Sequence, residues 1–111
     1  NDYIANDNFF CIAVGLNFSR NNIYDIINRE FNNFNWTSII SNTAHIKSDV
    51  KIGMGSIIHD NVFINSGTII GNHCIINSTS CIEHDNNWNN FSSCGPAGGL
   101  CSGGRCGEGC A

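Results

Sequence analysis

Charge is scarce in this chain. Only 13% of its 111 residues are Asp, Glu, Lys or Arg, and the formal net charge is -4, so no basic stripe is available to neutralise a nucleic-acid backbone. A DNA or RNA partner is not expected. No apolar run approaches the roughly 20 residues that cross a bilayer. The start, Asn1-Asp2-Tyr3-Ile4, lacks the basic and apolar regions of a signal peptide, so a cytoplasmic location is expected. The length leaves no room for two complete enzymatic domains.

Asparagine is abundant, often in pairs such as Asn21-Asn22 and Asn89-Asn90, and is given no chemical role as a group. Of the seven cysteines, Cys94, Cys101, Cys106 and Cys110 crowd toward the C-terminal end. Their gaps match neither paired CxxC zinc ligation nor a familiar disulfide scaffold.

Phe9-Phe10-Cys11-Ile12-Ala13-Val14 is a short apolar run closed by Gly15, which predicts a buried parallel-sheet strand. Ser19 is then placed to cap a helix whose apolar positions are Ile23, Ile26, Ile27 and Phe31, with Arg20 a surface residue at its start. A strand, a turn and a helix make half of a βαβ unit.

A repeat follows. Ile40, Ile46, Ile52, Ile58, Ile64, Ile70, Ile76 and Ile82 recur every sixth residue without a slip. Four places after each lead comes a small or β-branched residue: Ala44, Val50, Ser56, Val62, Thr68, Cys74 and Ser80. Gly53 and Gly71 follow two of the leads, where a corner would favour positive φ. Each hexad supplies one flat face and one corner of a triangular solenoid, with isoleucine pointing to the axis and the small residue in the tight interior beside it. A β-sandwich would need alternation and turn signals at another spacing.

The stretch Ile75-Ile76-Asn77-Ser78-Thr79-Ser80-Cys81-Ile82-Glu83-His84-Asp85 resembles the active-site segment of the sialic acid O-acetyltransferase and bacterial nucleotide-sugar N-acetyltransferase family, hexapeptide-repeat acyltransferases in which a Glu-His-Asp or Glu-His-Glu triplet follows an Asn-Thr-Ser-like strand. Val14-Gly15-Leu16-Asn17-Phe18-Ser19-Arg20 is similar to the Ile-Gly-Asn-x-x-Arg-like turn of that family's front domain. The resemblance implies a mainly β fold: a left-handed parallel β-helix preceded by a partial α/β Rossmann-like segment. On this reading residues 1–36 are the remnant of a nucleotide-sugar-binding domain. Residues 37–111 are the β-helix, regular over 40–85 and irregular over 86–111. Handedness comes from the resemblance alone, since parallel crossovers are otherwise right-handed.

The resemblance also implies an activity: transfer of acetyl from acetyl-CoA, as co-substrate, to an amino or hydroxyl group of a sugar or nucleotide sugar, in a homotrimer and without a metal. His84 is the expected general base, because a near-neutral pKa suits proton removal from the acceptor. Asp85 is the expected orienting carboxylate and Glu83 its less favoured alternative. Successive residues of a flat strand face opposite ways, so a corner must bring Asp85 round to His84. Asn77 is assigned to the acceptor, and Ser93 and Gly103 to the donor. His45, His59 and His73 fall at different places in their hexads, which disfavours the zinc triad of γ-class carbonic anhydrases on the same kind of helix.

Several departures from the family pattern follow His84. Trp88 is oversized for an axis position, Asn86 puts an amide where a small residue belongs, and Ser93 replaces the family's second histidine. The glycine- and cysteine-rich tail keeps the spacing of further coils with weak strand propensity. They motivate an alternative expectation, a non-catalytic β-helical fragment with a structural role or no activity in isolation.

Overall fold

The computed structural model describes residues 8–31 and 34–95, together with the backbone of 101–102. Among these the chain forms one helix, α1 (Asn17–Glu30), and ten two-residue strands: β1 (Ile39–Ile40), β2 (His45–Ile46), β3 (Lys51–Ile52), β4 (Ile57–Ile58), β5 (Phe63–Ile64), β6 (Ile69–Ile70), β7 (Ile75–Ile76), β8 (Cys81–Ile82), β9 (Ser93–Cys94) and β10 (Cys101–Ser102).

From β1 to β8 every strand is a hexad lead and the residue before it. Three strands complete a coil, and each strand then pairs in parallel with its counterpart one coil on, Ile39↔Ile57↔Ile75↔Ser93 along the first face. The second face runs His45↔Phe63↔Cys81 and the third Lys51↔Ile69, extended by a single bridge to Asn87. The result is a parallel β-helix. β10 returns antiparallel to β9, pairing Cys101 with Cys94, so this part of the tail does not add the further parallel rung its spacing predicted.

The axis is aliphatic. Ile58, Ile64, Ile70, Ile76 and Ile82 are each at most 1% exposed, and burial of this kind contributes about 1.5–3 kcal/mol per side chain. Ile40, Ile46 and Ile52 are less covered because the first coil has a neighbour on one side only. Ser56, Val62, Thr68, Cys74 and Ser80 fill the interior beside the leads as expected.

Two anticipated misfits are accommodated. The Trp88 indole is 4% exposed within the same core as Ile82 and Cys94, and its Nε1 is buried with no hydrogen-bond partner among the described residues. The Asn86 amide is buried but its Nδ2 donates to the Glu83 carbonyl at 2.8 Å and to the His84 carbonyl at 3.4 Å, so the amide nitrogen is not left without a partner.

The corners obey a rule of their own. Gly55, Asn61, Gly67, His73, Thr79, Asp85 and Phe91, each three places after a lead, have φ between 56° and 78°. A non-glycine residue there costs about 1–2 kcal/mol, which the ladders on either side must offset. Gly53 and Gly71 are not among them. Glycine is needed at those two positions because the coils approach closely: a Cβ on Gly53 would lie 2.7 Å from the Gly71 carbonyl, and one on Gly71 would lie 2.8 Å from the backbone at Asn89 and Asn90. The asparagines also gain a role. Asn72 Oδ1 accepts from Met54 N at 3.0 Å and Asn90 Oδ1 from Asn72 N at 2.8 Å, a side-chain ladder that satisfies corner N–H groups from one coil to the next.

Ahead of the coils the predicted strand at 9–14 does not form. Only Phe10 makes a bridge, parallel to Trp36, and Ala13 is exposed; a lone bridge gives the run no sheet in which to be buried. Helix α1 starts earlier than Ser19 predicted, with Leu16 at the N-cap and no side-chain cap. Ile26 is 52% exposed, and the helix instead turns Arg20 and Tyr24 to the solenoid.

Candidate functional site

β8 leads into the corner that carries Glu83, His84 and Asp85. Positive φ at Asp85 (58°) turns the chain so that neighbouring side chains converge, and His84 Nδ1 lies 2.9 Å from Asp85 Oδ2. Both side chains are open to solvent, at 69% and 76% exposure. Asp85 N donates to the Ser66 carbonyl one coil earlier at 2.9 Å, and the Glu83 carbonyl accepts from Thr68 Oγ1 at 2.9 Å. The Glu83 carboxylate lies 3.8 Å from Cys81 Sγ, and the free thiol of Cys81 is pushed up by burial first and by Glu83 second.

The remaining assigned residues are spread over the prism. Asn77 occupies the corner before β8, where its Nδ2 donates to the Cys94 carbonyl at 3.1 Å. Ser93 is half-buried in β9 on the first face, and Gly103 lies outside the described residues. The structure therefore brings His84 and Asp85 together and leaves Asn77 and Ser93 on other corners and faces of the same chain. No group of three or more His, Cys, Asp or Glu suited to a metal ion occurs among the described residues. No described helix is long and apolar enough to cross a membrane.

Sequence reasoning missed a second polar centre. Arg20, expected at the surface, is fully buried. Its Nε donates to the His73 carbonyl (2.7 Å), Nη2 to the Ser92 carbonyl (3.1 Å) and Asn17 Oδ1 (2.6 Å), and Nη1 to the carbonyls of Val14 (2.9 Å) and Gly15 (3.1 Å). Burial lowers its pKa, but oxygen dipoles in five directions hold the cation. The one available signal was the Val14 to Arg20 turn itself, whose Gly15, Asn17 and Arg20 are all used in the clamp.

His73 sits beneath this clamp. Its ring stacks on Phe91 (5.2 Å, 12°) and meets Tyr24 at 4.7 Å and Trp36 edge-on at 4.8 Å. It is 2% exposed, and its Nδ1 has no hydrogen-bond partner among the described residues. Burial, and then the charge of Arg20, push its pKa down to about 4 from 6.5.

This makes stability pH-dependent with a definite sign. Between pH 6.5 and 4 the unfolded chain binds a proton that the folded chain refuses, so stability falls as pH drops through that window and is unaffected above it. From pH 7 to pH 5 the expected loss is roughly 2 kcal/mol. Urea midpoints at both pH values for the parent and for His73→Asn, which tolerates the left-handed corner, check it. The variant should lose less stability between them, and equal losses would exclude His73 as the cause.

A hexad solenoid with a His–Asp pair on one corner defines a hexapeptide-repeat parallel β-helix protein, and comparison with solved structures narrows the class. PerB from Caulobacter crescentus in complex with CoA and GDP-perosamine matches over 80% of this chain and 42% of its own length, with 26% identity and a TM-score of 0.73. A variant of GDP-perosamine N-acetyltransferase from the same organism, with the same two ligands, matches at 25% identity and 0.73. The acetyltransferase domain of PglB from Neisseria gonorrhoeae, in complex with acetyl coenzyme A, covers 78% of this chain and 42% of its own length at 0.71; its 23% identity shows the fold alone. The structural neighbours are thus nucleotide-sugar N-acetyltransferases of the hexapeptide-repeat β-helix family, as the resemblance of residues 75–85 anticipated. No family model matches the chain, nor does any curated protein. The chain spans about two fifths of the length of these structures.

Proposed function

We propose that this chain carries the acetyl-transfer corner of an acetyl-CoA-dependent acetyltransferase acting on an amino or hydroxyl group of a nucleotide-linked sugar. The observation that carries the reading is the 2.9 Å His84–Asp85 contact on a β-helix corner, in a fold shared with enzymes solved with CoA and GDP-perosamine. An ionised carboxylate only accepts hydrogen bonds, so Asp85 favours a proton on His84 Nδ1 and the lone pair on Nε2. Nε2 then takes the acceptor's proton as its nitrogen or oxygen attacks the thioester carbon. The C–S bond breaks, and the proton passes to the departing CoA thiolate. No acyl-enzyme forms.

The other assignments stay within this proposal. Asn77 contacts the acceptor through the amide oxygen that its bond to the Cys94 carbonyl does not use. Ser93 and Gly103 serve the donor, and Glu83 is the secondary carboxylate. A cytoplasmic homotrimer is the expected assembly. A second reading, a β-helix that assembles without turning over, is favoured by one observation: β10 runs antiparallel on β9 and so interrupts the parallel rungs on the face that carries Ser93.

The test is thiol release from acetyl-CoA in the presence of amino-sugar nucleotides, on a preparation whose mass is read by sedimentation. Turnover by a trimer that falls about 10²–10⁴-fold in His84→Ala is the expected result. Turnover that His84→Ala leaves unchanged would overturn the role of His84, and a well-folded monomer would overturn the assembly.

A further inference from the structure

Beneath the dyad, at the same place in the preceding coil, lies Gly67, with φ of 78°. Its N–H is held in turn by Asp49 Oδ2, one coil lower, at 3.1 Å. A Cβ built on Gly67 would collide with Asp85 Oδ1 and lie 3.1 Å from Asp85 Cγ. The Asp85 carboxylate therefore occupies the volume that any larger residue at 67 would fill. The next coil contact fixes the main chain of the same corner: buried Thr68 donates from Oγ1 to the Glu83 carbonyl (2.9 Å) and accepts from Asn86 N (3.3 Å), while Asn86 Nδ2 donates to the Glu83 (2.8 Å) and His84 (3.4 Å) carbonyls.

We infer that Gly67 is a positioning residue for the acetyl-transfer corner: by leaving its side-chain volume empty it seats the Asp85 carboxylate on His84 Nδ1, while Thr68 and Asn86 hold the backbone that presents both. The inference rests on the proposed role of His84 and adds where its orientation comes from. The physical point is which partner must move. At Gly53 and Gly71 the obstructing atoms include main chain of the neighbouring coil, so added volume there is opposed by the solenoid itself. At Gly67 the obstructing atoms belong first to the end of one exposed side chain, which can swing into solvent. Gly67→Ala therefore leaves the coil standing and removes the carboxylate from His84. Asn86, which the hexad pattern marked as a misfit, belongs to the same support.

The experiment reads the tautomer of His84 by long-range ¹H–¹⁵N correlation on the full chain at a pH where the imidazole is neutral. The parent is expected to show His84 protonated chiefly on Nδ1. Gly67→Ala should shift it to the Nε2–H form that an imidazole without a carboxylate partner favours. Asp85→Asn should do the same, and the double variant should show no further change, because the glycine acts only through Asp85. Asn61→Ala, at the equivalent left-handed corner on another edge, controls for backbone strain and should leave His84 as in the parent. An unchanged tautomer in Gly67→Ala, or an equal change in Asn61→Ala, would overturn the inference. Thiol release is measured in parallel, with Gly67→Ala expected to lose about 10-fold in kcat and little in KM. A parent without turnover but with the expected tautomer series would remove the acetyl-transfer reading and leave the positioning role intact.

Discussion

Ile64→Asp is expected to abolish the cooperative thermal transition. Ile64 is wholly buried on the second face, between Ile46 in the coil below and Ile82 in the coil above. Truncating such a side chain costs about 2–5 kcal/mol from lost transfer and the cavity left behind. The carboxylate adds more, since an unpaired charge on the axis is either kept at several kcal/mol or neutralised by a large rise in its pKa. Together these approach the whole stability of a small domain, about 5–15 kcal/mol. Ile69→Asp is the control. Ile69, in β6 on the third face, is the same residue type, but it points outward, is 44% exposed and stands over Lys51. That variant should melt within about 1 kcal/mol of the parent. A retained transition in Ile64→Asp, or equal damage from both, would mean that the inward and outward residues of the hexads have been exchanged.

The contrast between those two isoleucines also shows why the coil was legible in the sequence and the rest was not. A period of six fixes a face, an axis position and a register at once, because every hexad repeats the same local solution and its neighbours eighteen residues away repeat it again. The site corner was legible for the same reason. Once Ile82 is a lead, Asp85 must occupy the turning position, and the turn that His84 needed follows.

Where one residue answers to its own surroundings, the pattern carries no information. Gly53 and Gly71 were assigned to positive φ, but the period places that conformation two residues after Gly53, at Gly55, and two after Gly71, at His73. Trp88 and Asn86 broke the pattern in type and were nevertheless buried, one in the core with Ile82 and Cys94 and one against a nearby carbonyl. Phe9–Val14 had strand composition with no second strand to pair with, and composition alone cannot supply the partner. Arg20 and His73 are 53 residues apart in sequence, and the Val14 to Arg20 turn, the one local signal, does not say that the helix will lay a guanidinium onto a coil corner.

That clamp carries the second large effect: Arg20→Ala is expected to release helix α1 from the solenoid at a cost of about 3–5 kcal/mol. The helix has little stability of its own. It is 14 residues long, it lacks a side-chain cap and an acidic residue in its first turn, and isolated helices of that length are marginal in water. What holds it is tertiary: Tyr24 against His73 and Phe91, and Arg20 bonded across to the His73 and Ser92 carbonyls. Alanine would open a cavity the size of the guanidinium and strand the buried or half-buried carbonyls of His73, Val14 and Gly15, each worth about 1–3 kcal/mol if water cannot reach it, while the Ser92 carbonyl keeps its bond from Ile75 N. Arg20→Lys should recover little, because one ammonium cannot serve oxygens spread around a planar fork. The measurement is far-ultraviolet circular dichroism against urea. The variant should lose its helical signal at lower urea than its strand signal, whereas the parent should lose both in one transition. A single transition at the parent's midpoint would show that the aromatic contacts alone dock the helix.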